Sequence, residues 1–292
     1  MIYLSVSMMK QKLKIYTADA AGNVTIFVAS PVEEADYTSV ATALLAAEDL
    51  GGEQVAFVVD DDTICMCGHE FCGNASRSFA LMKALGMFPM GKIEPAENGA
   101  LRVTINTSGA DRPIDVLVDP GKNYTKIKMP LPILSGTLSG CSLEAADGSP
   151  VFDMDGITHV IAAGIEPTEE NFELIKENLF ELFDDIPAAG VMFTDSAGSD
   201  SGITGGSDAL ISMTPVVYVT DVNTTYFEGS CGSGSAALCA AMSSEMPDGS
   251  YEYEIVQPRG SILVSSIVNN GKVDSVFIEG PVSISGPYEV EI

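Results

Sequence analysis

The sequence predicts an α+β fold in which strands outnumber helices. Three observations support this: runs with alternating β-branched residues are frequent, segments with helical periodicity are fewer, and 46% of the 292 residues are hydrophobic. With a positive mean hydropathy, this hydrophobic fraction is ample for a buried core. The length allows two modest domains or one large one.

Strands are predicted from two-residue alternation and helices from apolar residues three and four positions apart. The predicted strands span residues 24–29, 55–59, 101–106, 114–118, 126–129, 216–220, 262–267 and 273–278. The predicted helices span residues 36–47, 75–85, 168–182 and 234–242. Residues 195–207 are rich in Gly, Ser and Asp and are expected to form a mobile loop.

A domain boundary is predicted near the middle of the chain. Pro130 and Pro132 interrupt regular structure there, and the Gly/Ser-rich residues 135–140 follow. We therefore expect an N-terminal domain over residues 1–132 and a C-terminal domain over residues 133–280.

The charge balance excludes several classes of partner. Fourteen Lys and Arg against 41 Asp and Glu give a formal net charge of −27, which repels nucleic acid and anionic membranes. Residues 1–9 are apolar but carry no basic residue before their hydrophobic run, and no stretch approaches the roughly 20 apolar residues of a membrane span. We expect a cytoplasmic protein that binds a small molecule, and we leave a homodimer open.

The six cysteines are too few and too irregularly spaced for a disulfide scaffold, so we expect them to be reduced. Two of them begin similar motifs in the two halves of the chain: Cys72 begins CGNAS and Cys231 begins CGSGS. Each motif is followed by an apolar segment with helical periodicity. Glycine allows a sharp turn and the Asn or Ser can cap the helix, which leaves each cysteine beside a helix N-terminus.

A cysteine in this position suits acid–base chemistry. The free N–H groups and the dipole of a helix start stabilise anions, so we expect a lowered thiol pKa and a site for a substrate carboxylate. If the two halves are related by a pseudo-twofold axis, two such thiols face one substrate. Racemisation needs this arrangement, since one group removes a proton from one face and another returns a proton to the opposite face.

The residues resemble a known family. The motifs CGNAS and CGSGS are similar to the two cysteine motifs of the diaminopimelate epimerase fold, which proline racemases, phenazine-biosynthesis isomerases and the histidine racemases of opine metallophore (staphylopine-type) synthesis share. The last group is the most similar. The matching segments are AGNVTIFV at 21–28, GEQVAFV at 52–58, HEFCGNAS at 69–76, FEGSCGSGS at 227–235 and QPRGSILVSS at 257–266.

The resemblance implies two pseudo-symmetric domains, each a curved sheet around a central helix, with the active site in the cleft between them. It implies no pyridoxal phosphate and no metal. It also implies that residues 281–292 return to the N-terminal domain, and that the substrate is an amino acid.

Carried over by motif, Cys72 and Cys231 are the two acid/base groups. The resemblance implies that the backbone at both helix starts holds the substrate carboxylate; the residues concerned are Gly73, Asn74, Gly232 and Ser233.

Three further residues are implied in substrate binding. Asn23 lines the pocket, Glu53 matches an acidic residue that histidine racemases use near the substrate, and Glu228 takes roughly the place of an acidic residue near the α-ammonium. The alternative interpretation of Glu53 is a surface carboxylate that does not bind substrate.

Departures from the diaminopimelate pattern favour histidine. Ile157, Gly190 and Gly229 stand where diaminopimelate epimerases use two asparagines and an arginine to grip the far end of their substrate. Losing several charge-assisted hydrogen bonds, at roughly 1.5–3 kcal/mol each, should make diaminopimelate a poor substrate. A diaminopimelate epimerase, or a racemase of another amino acid, is the alternative. Arg259 is a departure that the sequence does not explain.

The sequence also allows other classes of function. Cys65, Cys67, His69 and Cys72 offer four soft ligands within eight residues and could form a metal-binding or redox module, although the spacing is poor for zinc. A binding protein without activity on the same fold is disfavoured because both cysteines are present. A phenazine-type isomerase usually lacks the cysteine pair.

For several residues we prefer a structural role to a catalytic or metal-binding one. Cys65, Cys67 and Cys239 are expected to fill space. His69 could shuttle protons but is expected to be solvated or to cap a helix, and His159 is expected to be structural.

Overall fold

The computed structural model describes residues 11–89, 91–154, 156–195, 210–220 and 223–292. The helices are α1 Tyr37–Leu45, α2 Gly73–Ala84, α3 Glu169–Leu182 and α4 Gly232–Ser243. In the first half of the chain the strands are β1 Lys12–Ala20, β2 Asn23–Val28, β3 Gln54–Val58, β4 Thr63–Met66, β5 Ile93–Pro95, β6 Leu101–Thr107, β7 Ile114–Asp119, β8 Tyr124–Lys128 and β9 Ile133–Thr137. In the second half they are β10 Pro150–Met154, β11 Ile157–Ala163, β12 Ala188–Thr194, β13 Leu210–Val219, β14 Thr224–Phe227, β15 Gly249–Gln257, β16 Gly260–Asn269, β17 Lys272–Pro281 and β18 Ser283–Glu291.

The strands pair into one continuous, strongly curled sheet. Following the hydrogen-bonded ladders, the order is β18-β1-β2-β3-β4-β6-β7-β8-β17-β16-β15-β13-β12-β11-β10-β9, with β5 beside β6 and β14 beside β13. Four pairs are parallel, β2–β3, β4–β6, β11–β12 and β13–β15. The fold is therefore α+β, as the sequence predicted.

The two halves of the chain meet where β8 pairs with β17. Ile127 lies opposite Ile278 in this antiparallel ladder, and both side chains are fully buried. The chain then returns: β18 pairs along β1, with Lys12 opposite Glu291. The backbone hydrogen bonds between β8 and β17 thus join the two halves of the sheet, close to the starts of α2 and α4.

Each half packs on one buried helix. Helix α2 contacts β1, β2 and β6 to β8, while α4 contacts β10 to β12 and β15 to β17. Helix α4 consists almost wholly of small and apolar residues, and α2 does so apart from Asn74, Arg77 and Lys83. Both helices are buried on nearly all sides, as expected for a helix surrounded by sheet. Helices α1 and α3 cover the outside and bury one apolar stripe each.

All the predicted helices and strands overlap observed elements, and several strands were missed. Strand β11, with the sequence ITHVIAA, was missed because it is buried on both faces, so its apolar and polar residues do not alternate. Strand β9 overlaps the Gly/Ser-rich segment that marked the predicted domain boundary, and it pairs with β10. The predicted loop at 195–207 lies, after Asp195, outside the described residues, as do residues 1–9. None of the described helices has the length and apolar character of a membrane span.

Candidate active site

Cys72 and Cys231 occupy equivalent positions. Each is the N-cap of a central helix, with φ/ψ of −124°/110° before α2 and −126°/115° before α4. Each Sγ accepts a hydrogen bond of 3.4 Å from the backbone N–H three residues on, that of Ala75 or Gly234. The cysteines, and not the neighbouring Asn or Ser as predicted, cap the two helices, because their extended backbone aims the sulfur at the free N–H groups. The two similar sequence motifs therefore have the same geometry at the two helix starts.

The starts of α2 and α4 meet at the side chain of Ile278. A Cβ on Gly73 would lie 2.9 Å from Ile278 Cδ1, and a Cβ on Gly232 would lie 3.0 Å from the same methyl. The Cβ on Gly232 would also lie 3.7 Å from the side chain of Asn74. Glycine after each cysteine therefore lets both helix starts lie close to Ile278.

A glutamine holds each cysteine, which the sequence analysis did not foresee. Gln54 Nε2 lies 3.2 Å from Cys72 Sγ. Gln257 Oε1 accepts a 2.7 Å hydrogen bond from the backbone N–H of Cys231, and its Nε2 donates to Ser235 Oγ at 3.1 Å. Both glutamines stand in the quoted motifs GEQV and QPRG, so the signal was present without an assigned partner.

The thiol pKa values differ from the sequence expectation. Burial raises the pKa of Cys72 to about 11, although hydrogen bonds from the Ala75 backbone and Gln54 act in the opposite direction. Burial also raises the pKa of Cys231 well above its ordinary value. Desolvation of the charged form therefore outweighs the helix N-terminus, and both sulfurs favour the thiol near neutral pH.

Glu228 links the two cysteines electrostatically. Burial raises the pKa of Glu228 to about 7, and a hydrogen bond with the Cys231 thiol acts in the opposite direction. In turn, the Glu228 carboxylate raises the pKa of Cys231 and, more weakly, that of Cys72. A carboxyl group that titrates near neutrality beside a thiol can take up or return a proton at working pH.

His159 lies behind Cys231. Its Nε2 is 2.9 Å from Ser233 Oγ, and the same hydroxyl is 3.5 Å from Cys231 Sγ. The ring is fully buried, and Nδ1 has no partner among the described residues. A buried N–H without a partner is costlier than an unpaired lone pair, so we assign the proton to Nε2, which donates to Ser233. The Ser233 hydroxyl proton can then point at the sulfur.

The burial of His159 leads to a prediction on stability. Burial lowers its pKa from 6.5 to about 3, so unfolding takes up a proton in this range. Its contribution to the free energy of unfolding is intact above pH 6.5 and is lost as the pH falls toward 3, by roughly 1.4 kcal/mol per pH unit. Urea unfolding at pH 7, 6, 5 and 4 should show a shallower acid loss for His159→Gln than for the wild type. Parallel curves would contradict a buried neutral histidine.

Glu53 is held by two partners. Arg259 Nη1 lies 2.6 Å from Oε1, and Asn23 Nδ2 donates to Oε2 at 3.1 Å. Asn23 also accepts from Gln54 at 2.7 Å, so this cluster leads directly to Cys72. The unexplained Arg259 is thus the ion-pair partner of Glu53, across 206 residues of sequence.

Two of the positions at which diaminopimelate epimerases bind the far end of their substrate, Gly229 and Gly190 in the comparison above, are crowded by other groups. A Cβ on Gly229 would lie 2.4 Å from Arg259 Cδ and 2.8 Å from Glu53 Oε1. A Cβ on Gly190 would lie 2.3 Å from His159 Nδ1. Side chains of arginine or asparagine at these two positions would collide with groups already in place.

The four soft ligands near Cys72 are not assembled into a metal site. His69 Nδ1 contacts Cys65 Sγ at 3.3 Å and its Nε2 lies 3.5 Å from Glu34, at the surface beside α1. Cys72 instead faces Gln54. In the part of the chain that the structure describes, no three His, Cys, Asp or Glu side chains are grouped to hold a metal ion.

Solved structures share this fold. A hydroxyproline epimerase from Agrobacterium vitis, with bound trans-4-hydroxy-L-proline, has a TM-score of 0.64 at 14% identity and covers 97% of this chain and 94% of its own. A phenazine biosynthesis protein of the PhzF family from Bacillus anthracis has a TM-score of 0.60 at 16% identity, covering 98% and 99%. At these identities the likeness concerns the fold alone.

Sequence comparisons are more specific. Residues 12–288 match the family model described as the histidine racemase CntK N-terminal domain. A histidine racemase of Fusobacterium nucleatum (strain ATCC 23726) is 30% identical over 97% of this chain and 98% of its own length. A histidine racemase of Staphylococcus aureus (strain Mu50) is 24% identical over 89% and 90%. The chain therefore belongs to the histidine racemase family, a family of isomerases.

Proposed function

We propose that this protein racemises histidine by moving the α-proton between Cys72 and Cys231. The observation that carries the proposal is the pair of cysteines in the same N-cap geometry on two helices whose starts meet at Ile278. Two bases on opposite sides of one carbon are what inversion requires. Relatives named histidine racemases support the substrate.

The reaction needs one thiolate and one thiol. The thiolate removes the proton from Cα, the electron pair of the C–H bond passes into the carboxylate-stabilised planar intermediate, and the opposite thiol protonates the other face. We assign Glu228 the task of taking the proton from Cys231 when that sulfur acts as the base, because the charge of Glu228 acts on that sulfur and its carboxyl titrates near neutrality. The substrate carboxylate is assigned to the backbone at Gly73, Asn74, Gly232 and Ser233, where helix N–H groups favour an anion.

The proposed imidazole contact is with Glu53. Its two oxygens already accept from Arg259 and Asn23, but each carboxylate oxygen has a second lone pair for a further donor. The space for a longer substrate head is restricted by the same ion pair over Gly229. Histidine is therefore favoured over diaminopimelate, and another amino acid is the second candidate.

The finer architecture is also a proposal. We assign residues 1–132 with 281–292 to one domain and 133–280 to the other, as pseudo-symmetric halves of a diaminopimelate epimerase-like fold.

Reduced thiols fit a cytoplasmic location, and the mechanism needs neither pyridoxal phosphate nor metal. A homodimer is a proposal that light scattering checks.

The substrate assignment predicts a specific loss in Glu53→Ala. Removing a charge-assisted hydrogen bond to the imidazole should lower kcat/KM for histidine by roughly 1.5–3 kcal/mol, about 10- to 150-fold. Racemisation is followed by polarimetry or chiral chromatography. Asp115→Ala is the matched control, since it removes the carboxylate of an exposed ion pair, with Arg102, from strand β7. Fast α-proton exchange of another amino acid with none for histidine would overturn the substrate while leaving the racemase.

A further inference from the structure

Arg77 is a fully buried cation without an anionic partner. It lies in α2, little more than one turn after Cys72, and its side chain has no exposed surface. Among the described residues its guanidinium has only neutral acceptors. Nε donates to Asn74 Oδ1 at 3.1 Å, and Nη1 donates to Gly280 O at 3.0 Å, Thr125 Oγ1 at 3.3 Å and Pro281 O at 3.4 Å.

This arrangement is unusual for a buried charge. Lys83, a second fully buried cation on the same helix, has the Asp62 carboxylate 2.6 Å away. No carboxylate in the described ranges lies within ion-pair distance of Arg77, and its Nη2 has no acceptor there. Burying an unpaired charge is costly, so a purely structural residue here would be expected to be apolar or paired.

The surroundings of Arg77 lead to the cysteine site. Asn74 Oδ1 is occupied by Arg77, and the Asn74 amide lies against the start of α4. The Asn74 Oδ1 that accepts from Arg77 also lies 3.7 Å from a Cβ built on Gly232, so this hydrogen bond fixes the amide beside the start of α4. Arg77 therefore fixes the Asn74 side chain at the junction of the two helix starts.

We propose that Arg77 is a positioning residue for the racemisation site: through Asn74 it sets the carboxylate-binding end of α2, and its uncompensated charge favours anions there. The inference rests on the function proposed above. The anions are the substrate carboxylate and the Cys72 thiolate, both of which the reaction brings to the same place.

The charge balance of the cleft gives the physical reason. Glu53 and Glu228 already lie around the site, and Glu228 opposes a thiolate at either cysteine. Arg259 is committed to Glu53. A second negative charge from substrate and a third from the thiolate would be repelled unless a cation offsets them.

The pKa values agree in direction. Burial lowers the pKa of Arg77 to about 10, while Cys72, Tyr124 and Asp19 act in the opposite direction. Tyr124 lies on β8 and Asp19 is exposed on β1, both strands that pack against α2. Of these charged groups, Cys72 has the largest effect on the pKa of Arg77.

The test compares Arg77→Met, Arg77→Lys and the control Lys83→Met. Lys83→Met removes a buried cation from the far end of the same helix, about 16 Å from the Cys72 end by helix rise. Alkylation of Cys72 by iodoacetamide is followed against pH by mass spectrometry of its peptide, and KM is measured for L-histidine. Arg77→Met should slow alkylation about tenfold near pH 8, shift its midpoint to higher pH and raise KM about tenfold.

The other variants separate charge from geometry. Arg77→Lys keeps the charge but loses the Nε–H that donates to Asn74, so its alkylation profile should stay near wild type while KM rises. Lys83→Met should lose stability and keep both readouts. The proposal is overturned if folded Arg77→Met keeps the wild-type alkylation profile, if Lys83→Met shifts it equally, or, should Arg77→Met fail to fold, if Arg77→Lys keeps the wild-type KM. Alkylation needs no substrate, so failure to turn over histidine would remove the proposed function without deciding the role of Arg77.

Discussion

Replacing Cys72 or Cys231 with serine is expected to abolish racemisation, with a loss in kcat of at least about 10³-fold. A hydroxyl has a far higher pKa than a thiol, and burial at both positions raises it further, so neither serine can act as the base. Serine is close to cysteine in size and keeps the N-cap acceptor, so the helix starts should persist. Chiral chromatography of histidine after incubation measures the loss.

The two serine variants should also differ from each other. Each retains one working thiol, so each should still eliminate a leaving group from a β-substituted amino acid of one handedness, and the handedness should be opposite for the two. Cys239→Ser is the matched control, since Cys239 is buried in α4 two turns beyond Cys231. It should keep racemase activity. If both active-site variants process the same enantiomer, the assignment of opposed faces is wrong.

Glu228→Gln is expected to lower kcat by about 10²–10³-fold, the range for loss of an acid–base group. The amide keeps the size of the side chain but cannot take the Cys231 proton. In the wild type, kcat/KM should rise with pH through about 7, because the carboxylate form is the one that accepts the proton. This limb should be missing from the profile of Glu228→Gln.

The behaviour of Glu228→Gln distinguishes a Glu228 that accepts the Cys231 proton from one that only repels a thiolate. A carboxylate that only repelled the thiolate would give a Gln variant with a lower thiol pKa and undiminished activity. Glu254→Gln, which alters an exposed carboxylate bonded to Ser261, serves as control and should leave the profile unchanged. A Glu228→Gln enzyme that retains the limb near pH 7 would contradict the assignment.

Local pattern predicted the helices and the placing of Cys72 and Cys231 at two helix starts, because these depend on neighbours in sequence. The motifs after Cys72 and Cys231 encode a turn and a close-packed helix start, so both positions follow from a few adjacent residues. Long-range partners could not be predicted in this way. The contact of Arg259 with Glu53 and that of Arg77 with Gly280 join residues more than 200 positions apart, and only the closed sheet brings them together.

Thiol acidity was the clearest error, and its reason is physical. The helix N-terminus was correctly expected to contact the sulfurs, and it does through Ala75 and Gly234. What the sequence does not reveal is the depth of burial, since desolvation depends on how both halves of the sheet close over the cysteines. That effect is larger than one backbone hydrogen bond and reverses the direction of the pKa shift.

The most direct test of the central claim is the isotope content of both enantiomers when L-histidine reacts in deuterated water. With two thiols, the group that takes the α-proton differs from the group that protonates the product. At early times the D-histidine formed should therefore carry deuterium at Cα, while the remaining L-histidine keeps protium. D-histidine that retains the original protium, returned by a single base, would contradict a mechanism in which Cys72 and Cys231 act from opposite faces.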